Sequence, residues 1–265
     1  MGVPGVSSAL TERVRVAPGS LRGAGARVAL EGDAHHHLTR VLRARVGDRV
    51  ELFDGEGQRA AATLVSMDAR AAWATLDEAP SEGVGADAVR AVWLQGVPKG
   101  DKLDDIVRQA TELGVARVVP VFTRRSVPQA RGGRSDGRRA RLQRIAEEAA
   151  RQCGRADVPT VDEAVSLADA LEGVAGDAGP GVKLVACPHT GAPLGAALGD
   201  GEAVRARGVV VLVGPEGGLD PEEVAAARGA GFVAVSLGPR VLRTETVAPA
   251  LLAVLSARCG DLREG

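Results

Sequence analysis

The sequence predicts two domains of different class. Residues 1–80 are expected to form a small β-barrel, residues 81–87 a linker, and residues 88–265 an α/β domain with a mostly parallel sheet. Short β-like runs separated by turn residues fill the first part of the chain. From Ala88 onward, strand and helix patterns alternate, which gives parallel sheets covered by helices. Between the two textures lies Pro80–Asp87, a stretch of Pro, Ser and Gly suited to a connection.

In the first part, Arg27–Leu30, Arg49–Phe53, Ala60–Val65 and Ala71–Leu76 are the expected strands. Glu31-Gly32-Asp33, Val46-Gly47-Asp48 and Asp54-Gly55-Glu56-Gly57 separate them as turns. One short helix fits at His35–Leu42, with Leu38, Val41 and Leu42 on its inner face.

In the second part, Ala88–Leu94 is a strand and Asp101–Leu113 a helix. Leu103, Ile106, Val107, Ala110 and Leu113 recur on one helical face, and Gly114 is the stop. Val115–Phe122 is a strand, Gln129–Gly137 a loop, Arg138–Gln152 and Asp162–Leu171 helices, and Val182–Cys187 a strand. Val209–Val213 is apolar throughout, as in a strand buried on both faces. Asp220, Pro221 and Glu223 make a capped helix start, with Leu219 stapled to Val224. Val233–Leu237 is the last strand and Thr246–Cys259 the last helix.

A chain of 265 residues with 45% hydrophobic and 25% charged residues is globular in composition. No apolar run approaches the roughly 20 residues a membrane span needs. Met1–Leu10 lacks the basic and apolar regions of a secretory signal. Cys153, Cys187 and Cys259 are odd in number and widely spaced, which argues against a disulfide framework and for a reducing cytoplasm. No metal site is expected, because consecutive His35, His36 and His37 point in different directions on a helix.

The formal net charge of −1 hides an uneven distribution. Arginines 124, 125, 131, 134, 138, 139, 141 and 144 face a single acid, Asp136, in that part of the chain. Such a cluster is either a solvated face or a surface for RNA phosphates, and the excess favours phosphates. Base composition of the genome can produce the same preference for arginine over lysine.

Two loops carry the candidate chemistry. Val213-Gly214-Pro215-Glu216-Gly217-Gly218-Leu219 joins the buried strand to the capped helix. Glycines there let backbone N–H groups approach a ligand at the carboxyl end of a strand. The loop matches neither a dinucleotide fingerprint nor a phosphate-binding Gly-Lys-Ser/Thr loop. An ordinary tight turn is the plain alternative. Leu237-Gly238-Pro239-Arg240-Val241-Leu242-Arg243-Thr244-Glu245-Thr246 is expected to lie beside it on the adjacent strand. Its charged and hydroxyl residues exceed what a connection requires.

These two strings resemble the RsmE-type ribosomal RNA methyltransferases of the SPOUT superfamily, which methylate uridine N3 in small-subunit ribosomal RNA. His35-His36, Val41-Leu42-Arg43, Gly47-Asp48 and Leu52-Phe53-Asp54-Gly55 resemble that family's PUA-like barrel. Lys99-Gly100-Asp101-Lys102, Gln109-x-x-Glu112-Leu113-Gly114, Gln152-x-Gly154-Arg155 and Val158-Pro159 resemble its central motifs. Where the family commonly has Glu and Ser around the Gln of Gln-x-Gly-Arg, this chain has Arg151 and Cys153.

The resemblance implies a SPOUT domain with a C-terminal trefoil knot, a homodimer, and S-adenosylmethionine as cofactor. Carried over by position, Val213, Gly214, Pro215, Glu216, Gly217 and Gly218 would bind the cofactor together with Leu237, Gly238, Arg240, Val241, Leu242 and Arg243. Thr246 and Ala248 would stand behind them, and Pro188 and His189 would form a third wall. Small-subunit ribosomal RNA, free or in the assembled subunit, would be the partner. Arg40, Arg43, Lys99, Lys102, Arg124, Arg125, Arg131, Arg134 and Arg155 are the expected RNA contacts.

Methylating N3 requires the departure of a weakly acidic proton. Arg243, Arg240 and Arg155 are candidates to stabilise the resulting charge, with Glu216 or Glu245 as proton acceptor or orienter. A SPOUT ribose 2′-O-methyltransferase and a non-catalytic RNA-binding assembly factor are the alternatives. The chain has no tyrosine and five other aromatics, so arginine planes would have to replace base stacking.

Overall fold

The computed structural model describes residues 12–83, 89–126, 135–176, 181–188, 190–260 and 262. The chain divides into two units, Met1–Ala86 with Ala150–Val158, and Asp87–Ala149 with Pro159–Gly265.

The first unit is a curled six-stranded sheet with β1 (Arg13–Arg15), β2 (Arg27–Glu31), β3 (Arg49–Phe53), β4 (Gln58–Met67), β5 (Ala71–Leu76) and β6 (Ser81–Glu82). The order is β1-β3-β4-β5-β2, with β6 paired to β4. Alternating residues point inward: Val28 and Leu30, Val50 and Leu52, Ala60 and Ala62, Ala72 and Ala74. Small alanines on the central strands leave room for the curl. A bulge between Leu64 and Ser66 shifts the β4–β5 register. The sequence did not reveal β1 or β6, which are too short for a periodic signal. Ser81 and Glu82, expected in the linker, are paired to β4.

Between β2 and β3, α1 (Gly32–His36) runs into a π-helical segment, His37–Leu42. Leu38 is fully buried and Leu42 packs on the same core, but Val41 is 62% exposed. The wider turn explains the difference. At roughly 80° per residue instead of 100°, the third residue after Leu38 swings about 120° away. Arg43 ends the segment in the left-handed region at φ 52°.

The second unit carries β7 (Ala91–Gly96), α2 (Lys102–Glu112), β8 (Val115–Phe122), α3 (Ser135–Cys153), β9 (Thr160–Val161), β10 (Val165–Ser166) and α4 (Leu167–Gly176). There follow β11 (Val182–Ala186), β12 (Ala192–Pro193), α5 (Leu194–Leu198), α6 (Glu202–Arg207), β13 (Val209–Val213), α7 (Pro221–Gly229), β14 (Val233–Ser236) and α8 (Thr244–Cys259). The last residues of α3, from Ala150, group with the first unit. All ladders of this sheet are parallel among the described residues, in the order β10-β8-β7-β13-β11-β14-β12.

Both faces are covered. Along β13, Val209, Val211 and Val213 enter one core with α2, α3, α5, α6 and α8. Val210 and Leu212 enter the other, with α4 and α7. That is why the strand is apolar at every position.

Three expectations need correction. The helix expected at Asp162–Leu171 begins at Leu167, because the Ser166 hydroxyl accepts from Asp169 N at 3.1 Å and caps it. The last helix begins at Thr244 rather than Thr246. The strands leading into the two candidate loops are not neighbours, since β11 lies between β13 and β14.

Candidate functional site

The two loops nevertheless meet. The Thr244 hydroxyl, in the first turn of α8, donates to the Gly214 carbonyl at 2.8 Å. Gly96, ending β7, packs so closely that a Cβ would lie 2.6 Å from Pro215 Cδ. Gly214 is equally constrained, since a Cβ would lie 2.8 Å from the Gly218 carbonyl carbon. The turn closes through Gly218 N to Pro215 O at 2.8 Å, with Gly218 at φ +71°.

Glu216 is fixed from the far side. Its carboxylate accepts from Lys99 N at 3.1 Å and from Lys102 Nζ at 2.9 Å. Lys102 Nζ also stands 3.8 Å from Glu245 Oε2, so one ammonium links the two loops. Burial pushes the Glu216 pKa up, but the hydrogen bonds from Lys102 and from the backbone at Glu216 and Lys99, with the Lys102 charge, bring it below the ordinary value.

The start of α7 is equally determined. Asp220 accepts from Glu222 N at 3.0 Å, and Glu223 accepts from Asp220 N at 2.8 Å, completing the expected capping box. Glu223 also accepts from Arg124 N at 2.7 Å. The Arg124 guanidinium bonds Glu222 at 2.5 Å and Asp220 at 3.3 Å, and Arg125 Nη1 donates to Gly217 O at 2.5 Å.

On the second loop, Ser236 Oγ donates to Gly238 O at 3.0 Å and faces Pro188 O at 3.4 Å. Pro188 therefore lies against this loop. A Cβ on Gly191 would lie 2.2 Å from the Val235 carbonyl carbon, which brings the two segments together. Leu237 and Leu242 are half-buried, whereas Gly238, Arg240, Val241, Arg243 and Thr246 are exposed. Ala248 is fully buried in the core. His189, Arg131 and Arg134 lie outside the described residues.

Several expected RNA contacts have other engagements. Lys102 is held by carboxylates, and Arg124 by the first turn of α7. Arg155 belongs to the first unit, is 3% exposed, and bonds Asp157 at 3.1 and 2.5 Å. A guanidinium so buried and paired is not presented to RNA or to a reacting base. Arg40, Arg43, Lys99 and Arg125 are exposed. So are Arg240 and Arg243, whose side chains make no hydrogen bond or ion pair among the described residues.

Sequence reasoning missed Gln95 and Thr244, which are 0% and 4% exposed. A signal existed, because an amide in an apolar strand must find partners. It also missed that Trp73 and Phe122 are each 37% exposed, so two aromatic surfaces are available.

A family model described as RNA methyltransferase domain matches residues 86–256, and one described as RNA methyltransferase PUA domain matches residues 30–77. Ribosomal RNA small subunit methyltransferase E of Mycobacterium bovis is 30% identical over 244 residues, covering 88% of this chain and 87% of that protein. The crystal structure of a ribosomal RNA small subunit methyltransferase E from Neisseria gonorrhoeae bound to S-adenosyl methionine is 30% identical. It covers 95% of this chain and 99% of that one, with a TM-score of 0.81. A methyltransferase from Legionella pneumophila in complex with the same cofactor is 28% identical, at the same coverage and TM-score. The two matched domains, the parallel sheet and the glycine loops at its strand ends thus agree, and the chain belongs to the RNA methyltransferase family, among the ribosomal RNA small subunit methyltransferase E proteins.

Proposed function

We propose that this chain transfers the methyl group of S-adenosylmethionine to N3 of a uridine in small-subunit (16S) ribosomal RNA, at nucleotide 1498 in standard numbering. The supporting observation is the convergence of two glycine loops through Thr244–Gly214 and Glu216–Lys102–Glu245. The reading includes a cytoplasmic homodimer and a trefoil-knotted C-terminal segment, as in the SPOUT enzymes that the sequence resembles.

The residues fit the cofactor. Gly96 and Gly214 let the end of β7 and the turn at 215–218 pack directly against each other, which shapes the first loop. Gly218 and Gly238 both have positive φ and open space where a Cβ would stand. Val213–Gly218 and Leu237–Arg243 are the binding segments in this reading, acting largely through their backbone groups, with Pro188 flanking the second. When bound, S-adenosylmethionine supplies an electrophilic methyl group on a sulfonium.

The chain's own residues must then hold the base in line and favour its N3 anion. Arg240 and Arg243 are the candidates, because their exposed guanidiniums stand on the second loop and can stabilise charge at O2 or O4. Glu216 is assigned an orienting role. A carboxylate with a depressed pKa is a weak base at neutral pH. Arg40, Arg43, Lys99 and Arg125 are the proposed RNA contacts.

Mass spectrometry of ribosomal RNA from cells with and without the gene tests the reaction, with one N3-methyluridine expected to disappear. Primer extension separates it from ribose methylation, because only an N3 methyl blocks the pairing face. Arg243→Ala is expected to slow single-turnover methylation by about 100-fold while retaining cofactor affinity. An unchanged rate would remove Arg243 from the mechanism.

A further inference from the structure

Gln95 is the one fully buried amide on the strand that ends against the first loop, and its hydrogen bonds have a direction. Trp93 Nε1 lies 2.9 Å from Gln95 Oε1. An indole nitrogen only donates, so the amide oxygen must face Trp93. The amide nitrogen therefore faces Thr244 Oγ1 at 3.0 Å and Gly96 O at 3.0 Å. The Thr244 hydroxyl accepts from Gln95, and its single hydrogen is left for Gly214 O at 2.8 Å. Gly214 O also lies 3.4 Å from Gln95 Nε2.

The end of this chain is the peptide that enters the first loop. Pro215 has a fixed φ and no N–H, so the Gly214 carbonyl is the only hydrogen-bonding group of that peptide. Gly214 itself is the most permissive residue type, and its ψ decides where the turn at 215–218 begins. Anchoring its carbonyl removes that freedom. The anchor is Thr244, on the second loop's helix.

We propose that Trp93, Gln95 and Thr244 form a one-way hydrogen-bond relay that locks the Gly214 peptide and sets the register of the two cofactor loops. They are positioning residues, acting through the backbone of the loops. The proposal rests on the reading of these loops as the S-adenosylmethionine site.

The relay makes direction-specific demands. Thr244→Ser keeps the hydroxyl and should bind like wild type. Thr244→Val keeps the shape and loses the donor, leaving Gly214 O and one Gln95 hydrogen without Thr244. Gln95→Glu keeps the size, but a carboxyl group offers at most one hydrogen where the amide offers two, so Thr244 Oγ1 and Gly96 O can no longer both be supplied.

The test is titration calorimetry of the full-length variants with S-adenosylmethionine, alongside methylation kinetics at saturating cofactor. Thr244→Val and Gln95→Glu should each raise Kd about tenfold, with kcat within about twofold of wild type and the double variant no worse than additive. Should either fail to fold by circular dichroism, Trp93→Phe, itself checked for folding, carries the test, because it removes the donor that orients the amide while keeping an aromatic ring in the core; a Kd raised about threefold is expected. Wild-type affinity in the folded Val and Glu variants, or in Trp93→Phe when it carries the test, overturns the relay. So does equal loss in Thr244→Ser and Thr244→Val. Absence of cofactor binding by wild type would instead overturn the assignment of the loops.

Discussion

Glu216 lies between opposing influences: burial favours its neutral form, while Lys102, the backbone N–H groups of Glu216 and Lys99, and the Lys102 charge favour the carboxylate and prevail. A carboxylate whose folded pKa is depressed contributes stability that is present above its ordinary value, about 4.3. That contribution is lost as pH falls through the lowered folded value. Lys102→Met removes the hydrogen bond and the charge, so the folded pKa should rise toward or above the unfolded one. Urea unfolding midpoints between about pH 3 and 6 should therefore fall less steeply on acidification in Lys102→Met than in wild type. Equal slopes would show that Lys102 does not hold the Glu216 charge. The same pair accounts for a misreading at this scale. Lysine in Lys99-Gly100-Asp101-Lys102 reads as a phosphate contact, and only the fold reveals two carboxylates waiting for it from residues more than a hundred positions away.

The start of α7 is decided locally, and its sequence signals are complete. Asp220, Pro221 and Glu223 specify cap, first turn and reciprocal bond within four residues, and the structure contains each. Glu223 has a further duty invisible to local pattern, since it accepts Arg124 N from the segment after β8. Glu223→Ala should thus cost about 1–3 kcal/mol, leaving two N–H groups to find new partners. Asp220→Ala should cost about 1 kcal/mol, the ordinary value for a cap. Urea denaturation of both variants checks the order; a smaller loss for Glu223→Ala would show that the Arg124 contact contributes nothing. The contrast explains which elements were legible. β13 and α2 announce themselves through unbroken or periodic apolar residues. β9, β10 and β12 have two residues each and exist because β8 and β14 offer them an edge. Strand order is also non-local, so the insertion of β11 between β13 and β14 had no trace in either loop.

At the scale of the whole molecule, the first unit is assembled from two separate stretches of chain. Arg13 Nη1 donates to the carbonyls of Ala150, Arg151 and Arg155 at 3.3, 3.2 and 3.1 Å. Gly57 N donates to Ala156 O at 3.2 Å, and Val158 N to Gly55 O at 2.9 Å. Arg151, which stands where the family commonly has Glu, lies 2.9 Å from His37 Nε2 through its Nη1. A fragment of residues 1–86 lacks all of these partners, and it should be less stable to urea than the same unit within the full chain. Tryptophan fluorescence at Trp73, with Trp93 replaced by Phe in the full-length protein, follows this unit alone. Coincident unfolding midpoints would show that Ala150–Val158 adds nothing.

The discontinuity also restricts how such a protein can be recombined. A gene fusion that exchanges the N-terminal module at one junction near residue 86 would transplant the curled sheet without Ala150–Val158. Its recipient would supply a foreign helix end in their place. Moving the first unit intact therefore requires that Ala150–Val158 travel with it, which a single junction cannot achieve.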